Sequence, residues 1–356
     1  MSSDRPRVLV TGISGNLGLR LLAQLTDFDV IGVDMVPPRT DLPLRFERID
    51  LAAEASRVQL AELLRSTGAR SVAHLAFVID PVRTDVLDRD LMWRINVAGT
   101  GRVMDAIAEV NRASGAVRKF VFPSSVSAYG PDLPPEVGED HPLGAHTLPY
   151  AIHKKESDLV VQKRAAALGS CSTYLLRPHI FAGASMENYL VGALRGTPTG
   201  KGRLGRRLRE RGRRLPILLP YGREYPEKRF QFVHVDDMAR LLAWILRRPE
   251  APPGLTILNV AGRGAPVTLS HAAEMAKQKV VRLPGRLTCR LILSLLWGLG
   301  VSGIPPEALP YMIGSYTMST ARLREMLGED YERVVRYTVE EALADTFRAN
   351  PPAAAS

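Results

Sequence analysis

The sequence predicts an α/β fold in which a doubly wound parallel sheet carries a smaller C-terminal lobe. Short apolar runs rich in β-branched residues recur along the first 262 residues, and stretches with helical spacing separate them. The first run is followed directly by a glycine-rich turn and then by a helical pattern of leucines. Strands that alternate with helices in this way are typical of a parallel sheet with helices on both faces.

The composition is that of an ordinary globular protein. The chain has 356 residues, of which 46% are hydrophobic and 24% are charged, enough for one large domain or two unequal ones. The cysteines Cys171 and Cys289 are too few for a disulfide framework and match no metal-ligand spacing, so we expect no metal and a reducing compartment. The polar start, Met1 to Arg7, leaves no room for a secretory signal. We therefore expect a cytoplasmic protein.

The net charge of +10 is concentrated in one stretch, residues 195–214, called here the basic segment. It contains nine basic residues and one acidic residue, Glu210. A nucleic-acid partner would be indicated by positive charge spread over a face, so none is predicted. The segment could steer an anionic substrate or an acidic membrane surface, or it could be a solvated basic loop.

The first strand and turn predict a dinucleotide-binding loop. Val8–Val10 is a buried apolar strand, and the eight residues after it read Thr-Gly-Ile-Ser-Gly-Asn-Leu-Gly. In this context Gly12 would allow the tight turn, Gly15 would let the backbone approach a pyrophosphate, and Gly18 would let helix and strand pack closely. The free N–H groups at the start of the helix would then face the phosphates.

The second strand, Asp29–Asp34, ends in an acid. Asp34 lies 16 residues beyond Gly18, near the position of a ribose-binding carboxylate. A carboxylate accepts hydrogen bonds from the ribose hydroxyls and repels a 2′-phosphate, so NAD is favoured over NADP. Arg39 and Arg45 follow and could shelter a phosphate, which weakens this preference. NAD is the predicted cofactor.

The third and fourth strands are expected to end beside the same cofactor. Asp50-Leu51 ends a short extended piece and could flank the adenine, and Ser71–Phe77 predicts the fourth strand. His74 within it is expected to pack or to fix a loop. A long helix, residues 86–112, carries Asn96, whose amide either bridges backbone and solvent in a proton path or bonds only to backbone.

The fifth strand, Lys119–Phe122, delivers residues 123–130 at its carboxyl end, where ligands sit in an open parallel sheet. The next helix runs to about Leu168 and carries Tyr150 and Lys154 on one face, four residues apart. The ammonium would lower the pKa of the tyrosine from its usual value of about 10. Alone, such a pair is more typical of an ordinary amphipathic helix.

The rest of the chain completes the sheet and builds the smaller lobe. Thr173–Pro178 and Ile257–Val260 predict the sixth and seventh strands. Residues 291–301 form an apolar run that is too short and too glycine-broken to span a bilayer. We expect it to be buried core, with an apolar pocket or a membrane-surface contact as alternatives. Ala321–Gly328 and Thr338–Phe347 predict closing surface helices.

The predicted architecture is a Rossmann-type domain with a smaller C-terminal substrate-binding lobe and a cleft between them. The Rossmann-type domain comprises residues 1–180 plus 229–262. The smaller lobe comprises residues 181–228 plus 263–349, and residues 350–356 are a loose tail.

Together these residues resemble the extended short-chain dehydrogenase/reductases of the NAD-dependent epimerase/dehydratase family. The matching motifs occur in family order from about Val8 to Gly262: Thr11-Gly12-x-x-Gly15-x-x-Gly18, Asp34, Asp50-Leu51, His74-Leu75-Ala76, Asn96, Ser124-Ser125, Tyr129-Gly130, Tyr150-x-x-x-Lys154, Arg177-Pro178 and Phe232–Asp237. The set is specific for the fold and for NAD, and it says much less about the substrate.

The resemblance implies a role for each site residue. Tyr150 would be the general acid/base, Lys154 its pKa-lowering partner and a ligand of the nicotinamide ribose, and Ser125 the hydroxyl that orients the substrate oxygen, with Ser124 as second choice. The implied cofactor-binding set is Gly12, Ser14, Gly15, Asn16, Leu17, Gly18, Asp34, Asp50, Leu51, Leu75, Ala76, Phe77, Asn96, Ser124, Tyr150, Lys154 and Pro178.

Two departures from the family pattern narrow the expected chemistry. Val126 and Ser127 stand where the 4,6-dehydratases carry an acid, which disfavours dehydration. Phe230 stands where many sugar-nucleotide epimerases place a diphosphate-binding arginine. Arg229 is one residue away and would point to the opposite face of an extended strand. Arg229 or the basic segment would have to supply that contact.

The resulting prediction is an NAD-dependent oxidoreductase or epimerase that acts on a small-molecule secondary alcohol or ketone, with a nucleotide sugar as one candidate. The alternatives are a net dehydrogenase of a hydrophobic alcohol, as in the hydroxysteroid-dehydrogenase branch, and a non-catalytic cofactor-sensing protein. The presence of Ser125, Tyr150 and Lys154 together argues against the latter. The resemblance also implies a homodimer.

Overall fold

The computed structural model describes residues 5–79 and 88–348. Within them, seven strands form one parallel sheet, and six further strands form three two-stranded sheets. The strands are β1 (Arg7–Thr11), β2 (Asp29–Asp34), β3 (Arg45–Arg48), β4 (Ser71–His74), β5 (Lys119–Pro123), β6 (Ser172–Pro178), β7 (Ile180–Ala182), β8 (Ile217–Pro220), β9 (Arg229–Phe230), β10 (Phe232–His234), β11 (Gly254–Val260), β12 (Val267–Thr268) and β13 (Val280–Leu283).

The helices follow the strands in alternation through the first half of the chain. They are α1 (Asn16–Gln24), α2 (Ser56–Thr67), α3 (Arg89–Trp93), α4 (Gly99–Ser114), α5 (Pro149–Arg164), α6 (Tyr189–Arg195), α7 (Arg203–Glu210), α8 (Val235–Arg247), α9 (Leu269–Met275), α10 (Gly285–Gly298), α11 (Leu309–Ile313), α12 (Ala321–Leu327), α13 (Tyr331–Val334) and α14 (Val339–Phe347). A π-helical turn, Arg94–Ala98, joins α3 to α4.

The large sheet has the order β11-β6-β5-β4-β1-β2-β3, with all neighbours parallel. The chain winds outward from β1 to β3 and then returns to the other side of β1 at β4. The strand order therefore reverses between β1 and β4, which is where ligands bind in sheets of this kind. The predicted doubly wound Rossmann-type sheet is confirmed.

The side chains of β1 alternate between the two faces of the sheet, and both faces are covered by helices. Val8 and Val10 pack with α1 and α8 on one face, whereas Leu9 packs with α2, α4 and α5 on the other. None of these three side chains is more than 1% exposed. Successive side chains of a strand point to opposite faces, so a continuous apolar run indicates a strand buried on both sides.

The predicted strands are all present, but the seventh begins three residues earlier, at Gly254, and two others end earlier than predicted. The fourth strand ends at His74 rather than Phe77, and the third ends at Arg48, ahead of Asp50. The predicted long helix is divided into α3, the π turn and α4, and its first two residues, 86 and 87, lie outside the described residues. The proposed tail, residues 350–356, also lies outside them.

The smaller lobe has its own apolar cluster, which includes Phe230, Phe232 and Tyr316. Leu323 of α12 and Val334 of α13 instead join the cluster beneath the large sheet. Because both clusters mix residues from the two predicted parts of the chain, the lobes share packing rather than meeting as independent units. The division into domains stays a prediction.

The apolar run 291–301 differs from its expectation as buried core. Leu291, Leu295 and Leu299 are 70%, 61% and 51% exposed, whereas Leu293 and Val301 are buried. The exposed three are spaced by four residues and so share one side of the chain at α10. The expectation of buried core is therefore wrong for that side. No helix in residues 5–79 and 88–348 is long and apolar enough to cross a membrane.

Candidate active site

The turn between β1 and α1 and the first turn of α1 contain two glycines, Gly12 and Gly18, at which any side chain would clash with backbone. Gly12 has a φ of +71°, and a Cβ there would lie 2.5 Å from the Ala76 nitrogen. A Cβ on Gly18 would lie 2.6 Å from the Ile13 carbonyl oxygen. Gly15 is less crowded, since its Cβ would meet only the Gly12 oxygen at 3.3 Å. This turn is therefore built for close approach of backbone to backbone and to a ligand.

The first turn of α1 offers an anion site. Gly15 is its N-cap and supplies no side-chain cap, so the first N–H groups of the helix are left for another acceptor. Leu17 follows the cap in this turn, and the Asn16 side chain donates to the Ser185 hydroxyl at 3.1 Å. The open helix start and the tight glycine turn fit the pyrophosphate of a dinucleotide.

Asp34 stands at the carboxyl end of β2 beside this turn. Its two carboxylate oxygens accept the backbone N–H groups of Ser14, at 3.0 Å, and Met35, at 2.7 Å. These bonds fix the carboxylate close to the loop that would hold the pyrophosphate, as a ribose ligand requires. The residues present thus fit NAD at both the phosphate and the ribose positions.

The remaining nucleotide-side residues have different surroundings. Asp50 is exposed just beyond β3 and accepts the Ala52 N–H at 2.8 Å, while Leu51 is buried. Leu75 and Ala76 follow β4, and their N–H groups bond to the Thr11 carbonyl and hydroxyl at 3.0 and 3.3 Å. These bonds bring the segment after β4 against the glycine turn.

His74 fixes this arrangement from inside the sheet. The ring is fully buried, with Nδ1 2.6 Å from the Thr11 hydroxyl and Nε2 3.0 Å from the Thr100 hydroxyl. Thr100 in turn donates to the Asn96 carbonyl at 2.6 Å. Burial, with a smaller contribution from the Lys154 charge, lowers the pKa of His74 to about 3. The ring is therefore neutral and holds a loop, as the sequence predicts.

The Asn96 side chain bonds to backbone, as one of its two predicted roles requires, and its part in a proton path stays a prediction. Its amide is fully buried, accepting the Val78 N–H at 2.7 Å and donating to the Val78 carbonyl at 2.9 Å. Its Nδ2 also lies 3.2 Å from Nδ1 of His153. The side chain thus pairs with backbone on both its edges and positions the stretch that leads from β4 past Phe77.

Three hydroxyl groups meet at the carboxyl end of β5 and the start of α5. Ser125 caps a 3₁₀ turn, and its hydroxyl accepts the N–H of Ser127 at 3.1 Å and the hydroxyl of Ser127 at 2.9 Å. Both serines hydrogen-bond to the half-buried Tyr150. Burial raises the pKa of Tyr150, and the bonds from Ser125 and Ser127 act in the opposite direction.

The sequence alone assigns no catalytic role to Ser127. The only signal for one is its position two residues after Ser125, in the same loop at the carboxyl end of β5. Ser124 is engaged elsewhere: its N–H donates to Leu176 at 2.6 Å and its hydroxyl is directed at the Lys154 carbonyl at 3.5 Å. This geometry favours Ser125 over Ser124 as the residue that faces a substrate.

Lys154 is a buried residue of α5, one helical turn after Tyr150. Its Nζ donates to the Pro123 carbonyl at 2.8 Å and lies 3.6 Å from the centre of the Phe77 ring. Burial lowers the pKa of Lys154 to about 7, opposed by the charge of Asp158. Burial is the largest influence on the pKa of Tyr150, and the lowering expected from Lys154 stays a prediction.

A buried ion pair between Arg177 and Asp158 links β6 to α5 next to the site. The Arg177 guanidinium makes two bonds to Asp158, at 2.9 and 3.0 Å, and a third to the Tyr129 hydroxyl at 2.9 Å. Asp158 belongs to α5, Tyr129 to the loop after β5, and Arg177 to β6, just before the buried Pro178. The pair therefore holds α5, which carries Tyr150, against the loop that carries Ser125 and Ser127.

The diphosphate arginine of the epimerases has no counterpart at position 230. Phe230 is fully buried and stacks on Tyr316 with ring centres 6.1 Å apart, whereas Arg229 is exposed. The two side chains lie on opposite faces of β9, as their spacing predicts.

Comparison with known proteins agrees with this geometry. The model of the NAD dependent epimerase/dehydratase family matches residues 8–261. The UDP-glucose 4-epimerase of Drosophila melanogaster is 25% identical over 263 residues, which cover 66% of this chain and 70% of that protein. The D-erythronate dehydrogenase of Cupriavidus necator is 32% identical over 169 residues, covering 43% and 49%.

A solved structure shows the same fold over nearly the whole chain. The UDP-glucose 4-epimerase of Thermus thermophilus, in complex with NAD, superposes with a TM-score of 0.64 at 21% identity and covers 96% of this chain and 99% of its own. The glycine turn, the fixed carboxylate and the family match together make NAD the cofactor of an enzyme of the epimerase/dehydratase type. The chain belongs to the NAD dependent epimerase/dehydratase family.

Proposed function

We propose that this enzyme epimerises a secondary alcohol carbon of a nucleotide sugar through Ser125, Tyr150 and Lys154. The observation that carries the proposal is the interaction of the Ser125 and Ser127 hydroxyls with each other and with Tyr150, at the carboxyl end of β5, where Lys154 binds the Pro123 carbonyl. Such a set can hold an alcohol oxygen and exchange its proton.

Each side chain has a separate task in the proposed reaction. Ser125 donates a hydrogen bond to the substrate oxygen and keeps it within reach of Tyr150, which takes the hydroxyl proton and later returns it. Bound NAD would accept a hydride from the same carbon and give it back to the opposite face. The pKa of Lys154 is about 7, so its ammonium can exchange a proton near neutral pH. Lys154 would bind the nicotinamide ribose, and its positive charge would favour the ionised form of Tyr150.

The nucleotide-sugar substrate is supported by the relative that covers most of the chain. That relative is a UDP-glucose 4-epimerase. Position 126 is valine and position 127 serine, so no acid follows Ser125 to drive loss of water, which favours epimerisation over dehydration. Because Phe230 is buried, the diphosphate would be held by other cations, with Arg229 as the nearest candidate in sequence.

A net dehydrogenase of a hydroxy acid is the second candidate. A D-erythronate dehydrogenase is 32% identical to this chain over 169 residues. The hydroxysteroid-like alternative has little support, because three leucines of the apolar run 291–301 that suggests it, Leu291, Leu295 and Leu299, face solvent.

Turnover assays on the purified protein separate these candidates. The nucleotide released on denaturation is identified first, and then NADH absorbance and product are followed with UDP-sugar, D-erythronate and sterol panels. Interconversion of a UDP-sugar without net NADH supports the proposal. Growth of NADH with D-erythronate or a sterol, and no sugar product, would replace the epimerase with a dehydrogenase.

Substitution of Tyr150 tests the mechanism whichever substrate is found. Tyr150→Phe removes the proton acceptor and keeps the ring, so turnover should fall by about 100- to 10,000-fold while NAD binding is retained. Ser125→Ala should lose activity as well, and Ser124→Ala serves as the matched control because its hydroxyl is directed at backbone. Full turnover in Tyr150→Phe would rule out the proposed chemistry.

A further inference from the structure

Helix α10 presents a row of leucines to solvent at the edge of the smaller lobe. Leu287, Leu291, Leu295 and Leu299, called here the leucine face, are 76%, 70%, 61% and 51% exposed. Their spacing of four residues puts them on one side along roughly 18 Å of chain, at about 1.5 Å per residue. Single exposed leucines are common on protein surfaces, but a continuous row marks an interaction site.

The helix cannot turn to hide this row. Its other side carries Cys289 and Leu293, which are buried in the cluster of the smaller lobe. Rotation would expose those two residues in exchange and break the packing of the lobe. The leucine face is therefore held outward by the fold.

The basic segment begins where the leucine face ends. The N–H groups of Gly200 and Gly202 donate to the carbonyls of Val301 and Gly300 at 3.0 and 2.9 Å. A Cβ on Gly205 would lie 2.5 Å from the Gly300 oxygen, so helix α7 lies in direct backbone contact with the end of α10. The glycines thus join a strongly basic helix to an exposed apolar one.

Five arginines of the basic segment point to solvent with their charges unpaired. Within residues 5–79 and 88–348, no hydrogen bond or ion pair engages their side chains. They are Arg203, Arg206, Arg207, Arg211 and Arg213. The sequence around α10 adds to this charge, since residues 275–306 contain five basic residues and no acidic one. The exposed leucines and the unpaired arginines therefore lie on α10 and on the basic segment that adjoins its end.

We propose that the leucine face and the basic segment dock the enzyme onto a membrane surface rich in anionic lipid. In this arrangement α10 lies in the plane of the interface with its leucines among the acyl chains, as amphipathic helices do. The arginines bind lipid phosphates, which guanidinium groups hold by paired hydrogen bonds. A helix of 14 residues is too short to span the bilayer, so the contact is peripheral.

A second copy of the chain fits the same surface less well. The charged residues of α10, Arg286 and Arg290, are both basic. Two copies that packed face to face would bring cations together at both ends of the contact, and such like-charge juxtaposition opposes association. An anionic surface satisfies both parts of the patch at once.

Vesicle co-sedimentation with the full-length protein tests the proposal. Wild type should bind vesicles in which a third of the phosphatidylcholine is replaced by phosphatidylglycerol, and it should bind pure phosphatidylcholine much less. Leu291→Ser with Leu295→Ser should weaken binding by roughly 100-fold, about tenfold for each leucine. Arg206→Gln with Arg207→Gln should weaken it by about 25-fold, near fivefold for each charge, and added salt should do the same.

The matched control is Val58→Ser, a change at an apolar residue that is 44% exposed on α2 of the Rossmann-type domain. It should bind as wild type, and NAD binding should show that every variant is folded. Leucine variants that sediment like wild type would overturn the proposal. So would a wild-type dimer, seen by light scattering, that the leucine changes dissociate, because the face would then be a self-interface.

Discussion

The hydroxyl of Ser127 lies where it can tune the proposed base. It bonds to Ser125 and to Tyr150, and its bond to Tyr150 lowers a pKa that burial raises. Ser127→Ala should therefore raise the Tyr150 pKa further and leave less phenolate at any given pH. The pH profile of kcat/KM for alcohol oxidation should move to higher pH, with turnover reduced by about tenfold.

Ser124→Ala is again the control for that profile, since it removes a nearby hydroxyl of the same kind that is directed at backbone. A Ser127→Ala profile that coincides with wild type would show that the serine has no part in tuning Tyr150. A parallel loss of activity at every pH would indicate a structural role instead.

The buried neutral His74 predicts a loss of stability in acid. Its pKa is about 3 in the folded chain against 6.5 when unperturbed. Between these values the unfolded chain binds more protons than the folded one, so stability rises with pH across this window and is lost as pH falls from 6.5 towards 3. The loss can reach about 1.4 kcal/mol for each pH unit.

Urea unfolding at a series of pH values measures this effect. His74→Asn can keep bonds to Thr11 and Thr100 but cannot titrate, so its free energy of unfolding should fall less steeply in acid. His179 is also fully buried with a pKa of about 3, so part of the slope should remain. Equal slopes for the variant and wild type would mean that His74 takes up its proton without unfolding.

The sequence indicates some of these residues and cannot indicate others. Gly12, Asp34 and Tyr150 occur at fixed spacings around a strand, turn and helix, and such local patterns are visible in the chain itself. The direction of the Lys154 ammonium and the contact of Ser127 with Tyr150 depend on how α5 packs on the loop after β5. Burial then decides the Tyr150 pKa, and burial at one residue is a property of the whole fold.

At the scale of the elements, substitutions in the glycine turn before α1 should separate an effect on NAD binding from an effect on folding stability. A Cβ on Gly18 would meet the Ile13 oxygen at 2.6 Å, whereas one on Gly15 would meet the Gly12 oxygen at 3.3 Å. Gly18→Ala must therefore displace backbone and should destabilise the protein by about 1–3 kcal/mol. Gly15→Ala should fold nearly as wild type and lose NAD affinity, because its methyl group enters the space of the pyrophosphate.

Unfolding midpoints and NAD titration by fluorescence distinguish the two variants. The expected pattern is a low midpoint for Gly18→Ala and a wild-type midpoint with at least about tenfold weaker NAD binding for Gly15→Ala, equivalent to roughly 1.4 kcal/mol. Normal NAD affinity in Gly15→Ala would mean that the phosphates do not approach the turn at that residue.

Helices are harder to place from the sequence than strands for a physical reason. A strand buried on both faces is apolar throughout, so Val8–Val10 can be recognised without knowing which face is which. Helix α10 is also apolar on most sides, and its sequence therefore does not tell which side packs. Only the fold shows that Cys289 and Leu293 face the core while Leu291 and Leu295 face solvent.

At the scale of the whole molecule, the two predicted lobes are tied together by shared clusters. Val126 and Ala151, from the Rossmann-type domain, pack in the cluster of the smaller lobe. Leu323 and Leu327, from the C-terminal part of the chain, pack under the large sheet with β1 and α8. Neither part could lose its packing without exposing apolar surface of the other.

The shared clusters predict a single cooperative unfolding transition that NAD shifts as a whole. A ligand that binds only the folded state stabilises it by about 2.7 kcal/mol at 100 times its Kd, and in a cooperative molecule that stabilisation reaches every part. Scanning calorimetry should therefore show one peak, moved to higher temperature by NAD and less by NADP, which the Asp34 carboxylate disfavours. Two peaks of which NAD moves only one would mean that the lobes unfold independently, with the dinucleotide bound to one of them.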